Sequence, residues 1–131
     1  MAGLPYTGPG TVGAMSFAEQ LEPITACQGV LAALITDRDG IPVEARGAAA
    51  DLAEEMAAEF SSLIREVSSA NRELQLGAVE QVVVAGVERA VVITAITGEY
   101  FLMTLVEQSG NQGQARFRSR LAAHRLRNEF A

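Results

Sequence analysis

The sequence predicts an α+β domain: a mostly antiparallel five-stranded sheet with three helices over its faces, in helix-strand-strand-helix-strand-strand-strand-helix order. Three observations carry this. Residues 49–76 repeat apolar side chains at steps of three and four, the period of one long amphipathic helix. Five short apolar runs lie on either side of that segment. Within each group the runs are joined by connections of hairpin size, which make neighbouring strands antiparallel.

Totals bound the class. At 131 residues, 49% hydrophobic and 20% charged, the chain is long enough for one packed core and too apolar for general disorder. Residues 1–14, with Pro5, Pro9 and no periodicity, read as a flexible N-terminal tail, and 15–131 as a single domain. The start lacks the basic and apolar regions of a secretory signal, and no run is long enough to span a bilayer, so a cytoplasmic protein with no integral membrane segment is expected. A single cysteine, Cys27, allows neither an internal disulfide nor a cysteine-based zinc site. The net charge of −6 argues against nucleic acid as a partner. Lysine is absent altogether, which excludes Schiff-base chemistry and a phosphate loop ending in Lys.

The elements follow in order. Ser16 and Glu19 have capping-box spacing, so a helix starts there, and Pro23 keeps it short or kinked. Residues 30–36 are apolar on both alternating faces, as in a strand covered on both sides. In residues 41–45 the alternation turns Ile41, Val43 and Ala45 inward, and Pro42 assigns this strand to a sheet edge. The long helix carries Ala53, Met56, Ala57, Phe60, Leu63, Ile64, Val67, Ala70 and Leu74 on its core stripe and stops at Gly77. Strands over 78–85, 89–97 and 100–106 form a meander, and a last helix covers about 115–129.

Motifs with chemical meaning are few. Gly8 to Gly13 reads G-x-G-x-x-G, but no strand precedes it, so no dinucleotide cofactor is expected. Asp37, Asp39 and Glu44 evoke a calcium loop, yet Gly40 falls at position four and Ile41 occupies position five, so the count fails and a turn remains. His124 and Cys27 do not assemble with a base or an orienting group, so no catalytic, cofactor-binding or metal-ligating set is expected and the protein is not read as an enzyme.

Surfaces say more. On the long helix Arg65 and Arg72 have no carboxylate three or four residues away, while Ala58, Ser61, Ser62, Ser68 and Ser69 form a stripe of small residues. Either this is a solvated face, or it admits a second helix whose acids would meet the arginines. Glu80, Val82 and Val84 lie on the strand that the hairpin order places at the edge opposite Pro42; β-branched, without Pro or Lys, that edge calls for cover. Pairing with its own copy across a two-fold axis covers it, which favours a homodimer. Arg116, Arg120, His124 and Arg127 form one stripe on the last helix, read either as a solvated face or as a dock for an acidic partner or anionic lipid.

Taken together, the strand–turn–strand GVLAALITDRDGIPV, the meander AVEQVVVAGVERAVVITAITGEYFLMTLV and the entry GNQGQARFRSRLA resemble the roadblock / dynein light chain family over about residues 16–130. The resemblance implies the long helix on one sheet face and the terminal helices on the other, with dimers joined through edge strands and long helices. It also implies a bacterial role of the gliding-motility type: a non-catalytic regulator or scaffold that binds a small Ras-like GTPase and modulates its hydrolysis or exchange. Glu55, Glu59, Arg65 and Arg72 are then the expected polar contacts. Two other classes stay open: a small-molecule sensor module, and a purely structural assembly subunit.

Overall fold

The structure, a computed structural model, describes residues 16–130. The expected tail over residues 1–14, with its Gly8 to Gly13 pattern, lies outside the described residues. Helix α1 (Phe17–Thr25) is followed by strands β1 (Val30–Asp37) and β2 (Pro42–Arg46) and, after a single 3₁₀ turn, helix α2 (Ala53–Glu73). Strands β3 (Gln81–Ala85), β4 (Arg89–Ala95) and β5 (Tyr100–Glu107) precede helix α3 (Gln112–Phe130). The sheet runs β2-β1-β5-β4-β3, and every neighbouring pair is antiparallel.

Two apolar layers hold the sheet between the helices. On one face Ala53, Met56, Ala57 and Ile64 of α2 pack on Leu34, Ile93, Met103 and Leu105. On the other, Leu21 and Ile24 of α1 join Ala122, Ala123 and Leu126 of α3 over Ala33, Ile35 and Leu102. Burying each of the larger aliphatic side chains contributes about 1.5–3 kcal/mol. In β1 the consecutive Ala32, Ala33, Leu34 and Ile35 are all fully buried. That is why this strand is apolar on both faces: it lies inside the sheet with a helix layer on each side.

The capping box at α1 is complete, since Ser16 N donates to Glu19 Oε1 at 2.9 Å and Glu19 N donates to Ser16 Oγ at 3.1 Å. Pro23 lies inside this nine-residue helix. At the far end, Asn111 Oδ1 accepts from Gln114 N and starts α3 earlier than the apolar pattern alone indicates.

Three departures from the sequence reading have physical causes. Helix α2 stops at Glu73, short of Gly77: Leu76 N donates to Asn71 O and Gln75 N to Arg72 O, a Schellman closure with Gln75 at φ 57°. Its last apolar positions, Ala70 and Leu74, are exposed, because the 21-residue helix outruns the sheet beneath it. Strand β3 begins at Gln81, so residues 78–80 cross the sheet end as coil. In the edge strand, Ala45 packs toward α2, but Val43 is 41% exposed and Ile41, just before the strand, 63%. At the margin of the sheet, side chains directed toward a helix layer can lie beyond its cover.

Candidate interaction surface

The acidic turn that evokes a metal loop is occupied by its own backbone. Asp37 Oδ1 accepts from Asp39 N at 2.9 Å and from Ile41 N at 3.0 Å, and Gly40 adopts φ 86°. Among the described residues no three His, Cys, Asp or Glu side chains stand together as a metal site. Cys27 is buried at the end of α1; its thiol donates to Pro23 O, and burial pushes its pKa up.

Gly40 also explains one residue of the small stripe. A Cβ there would lie 3.0 Å from Ala57 O and 3.1 Å from Ser61 Oγ, so the turn is pressed against α2. Ser61 is accordingly 5% exposed, its hydroxyl donating to Ala58 O, and is occupied within its own chain. Ala58 and Ser62 are exposed, Ser68 and Ser69 half-buried. Glu55 and Glu59 are exposed on the same helix. Arg65, expected to seek an acid elsewhere, donates from Nη1 to Arg38 O at 2.8 Å, tying α2 to the β1–β2 turn. Arg72 is exposed and lines a cavity at the end of the helix.

Strand β3 is an outer strand, and its register with β4 runs without a bulge. Gly86 N donates to Arg89 O at one end of the pair, and Ala95 N donates to Glu80 O at the other. Antiparallel pairing alternates, so Glu80, Val82, Val84 and Gly86 bond inward to β4. Gln81, Val83 and Ala85 therefore turn their N–H and C=O groups out to the open edge. The edge residues singled out from sequence are thus the ones whose main chain is already used, and Val82 packs toward the α2 layer. Counting back from the tight turn at Val87 and Glu88 gives this parity, so the signal was present.

On the opposite face the stripe of α3 overhangs this same edge. Gln81 Oε1 accepts from Arg120 Nη1 at 3.0 Å and from Arg116 Nε at 3.4 Å. Its Nε2 donates to Thr94 Oγ1 and to Arg116 O. Arg127 Nε donates to Ile96 O at 3.0 Å. Nothing in the α3 periodicity announces Gln81 as the common anchor of Arg116 and Arg120; the Arg116 contact joins positions 35 residues apart.

These features define an α+β module whose accessible chemistry lies on surfaces: a helix stripe, an open strand edge and a basic flank. The chain belongs to the Roadblock/LC7 family, whose domain model matches residues 17–107. No sequence match was found among curated proteins. Among solved structures it is similar to a Roadblock/LC7 domain from Streptomyces avermitilis, 20% identical over 83% of this chain and 92% of that one, with a TM-score of 0.75. It is likewise similar to the gliding protein MglB from Thermus thermophilus, 17% identical over 88% and 90%, TM-score 0.77. MglC from Myxococcus xanthus is 29% identical over 88% and 99%, TM-score 0.62.

Proposed function

We propose that this protein is a homodimeric, non-catalytic regulator or scaffold for a small Ras-like GTPase. The observation that carries the dimer is the open main-chain edge of β3 at Gln81, Val83 and Ala85, in an unbulged β-branched strand. An edge of this kind invites pairing with a second strand, and its own copy across a two-fold axis presents a matching row of donors and acceptors. The exposed Ala58 and Ser62 permit close approach of a second α2. Family membership supports the GTPase as partner, and the similarity to a protein described as a gliding protein from Thermus thermophilus supports the bacterial setting.

On this reading Glu55, Glu59 and Arg72, exposed on α2, offer the polar contacts to the GTPase; Arg65 contributes through its hold on the β1–β2 turn. Exposed charged contacts are worth roughly 0.2–1 kcal/mol each, or about 1.4- to fivefold in affinity. Titrating a GTP- or GDP-loaded candidate GTPase against the protein and against Glu59→Arg tests this. Tighter binding to one nucleotide state, weakened by the substitution, is expected. Absence of binding in both states overturns it.

A further inference from the structure

A cavity of about 1280 Å³ opens at the end of the sheet, where α2 outruns the strands and the coil before β3 passes beside the β4–β5 turn. Four arginines from separate elements converge on it, with His124 beside them: Arg38 from the β1–β2 turn, Arg72 from α2, and Arg120 and Arg127 from α3. Glu80 and Glu99 are the acids in its wall. Glu99 is engaged by Arg38 at 3.5 Å, whereas Arg72, Arg120 and Arg127 have no carboxylate within ion-pair distance among the described residues. In a chain of net charge −6, this is a local reversal of sign.

We infer that this cavity docks an acidic peptide segment of a partner protein, one in which carboxylates are interspersed with apolar residues. Two of the arginines are oriented in advance. Arg127 Nε is held by Ile96 O and Arg120 Nη1 by Gln81 Oε1, which leaves each guanidinium with further donors and less side-chain freedom to lose on binding. Between the cations the wall is mixed, with Ala95, Ile96, Phe101 and Ala123 beside Ser68, Asn71, Thr94 and Thr97. Leu74 and Leu76, both about two-thirds exposed, flank Gln75 at the rim. The volume exceeds the roughly 300–1,000 Å³ of small-molecule sites. The arginines stand on separate elements around a concave opening rather than on one flat face, so the geometry favours a chain segment over a membrane. Arg72 also lies on the surface proposed for the GTPase, whereas Arg120 and Arg127 belong to the cavity alone, so Arg127→Gln separates the two readings.

The test is fluorescence anisotropy with the full chain and a labelled peptide of Glu-Glu-Leu repeats, about twelve residues or ~40 Å extended. Its Gln-for-Glu counterpart and phosphatidylserine vesicles serve as comparisons. Binding of the acidic peptide that weakens with salt is expected, with no binding of the Gln peptide. Arg72→Gln and Arg127→Gln should each weaken it roughly two- to fivefold, and together about tenfold, with Arg125→Gln on the outer face of α3 leaving it unchanged. The Arg72 side chain makes no hydrogen bond or ion pair among the described residues, so its variant reports on binding even if Arg127→Gln perturbs the fold. Sedimentation of each variant separates loss of peptide from loss of self-association. No peptide binding, equal effects at Arg125 and Arg72, or preference for the vesicles overturns the proposal.

Discussion

Gly40 shows how a single residue ties local conformation to packing. Its positive φ closes the turn between β1 and β2, and the missing Cβ lets that turn press against Ala57 and Ser61 of α2. Gly40→Ala combines backbone strain with a tight contact and should lower stability by roughly 2 kcal/mol, read as a shift in the denaturation midpoint. At the start of α1, the backbone N–H of Ser16, and then its hydroxyl, hold the Glu19 carboxyl below its ordinary pKa. A depressed carboxylate stabilises the fold above its unfolded pKa and loses that contribution as pH falls through the lower folded value. The difference in thermal midpoint between the protein and Glu19→Gln should therefore shrink on acidification below the usual carboxylate range. A gap that stays constant with pH would assign the effect elsewhere. The capping box was legible in sequence because it is local, and so was the turn. The burial of Ser61 was not, because it depends on a turn 21 positions away.

Among the elements, β3 joins fold to association. Its parity divides the strand into residues bonded to β4 and residues facing the open edge, and two proline substitutions separate the consequences. Val83→Pro removes an outward N–H and should yield a folded monomer, seen as a halved mass in light scattering with a thermal midpoint near that of a matched monomer. Val84→Pro removes an inward N–H that bonds β4, and should cost about 2 kcal/mol of stability in itself. If both variants keep the dimer mass, the edge is not the interface. Order and type of the elements were readable from periodicity and hairpin-sized gaps, including Pro42 at one edge and β3 at the other. Their ends were less so. Helix α2 carries its apolar repeat past the sheet, and the repeat registers amphipathicity whether or not a strand lies underneath. The parity of β3 needed the hairpin register, which places Gly86 opposite Arg89.

At the scale of the whole molecule, the sheet separates two faces with different chemistry. The α2 face offers small and acidic side chains, and the α3 face carries the arginines at the β3 edge and the end of the sheet. A dimer joined through β3 would bring the basic flanks of both α3 helices together on one side and both α2 helices together on the other. The stripe on α3 was visible as a period in the sequence; that Arg38 and Arg72 join part of it in one cavity was not, since a helical repeat carries no information about the ends of other elements. Sedimentation velocity of the protein, alone and with a small Ras-like GTPase in each nucleotide state, tests the central claim most directly. A dimer alone, and a larger complex that forms preferentially with one nucleotide state, are expected. A monomer that forms no complex with either state would contradict it.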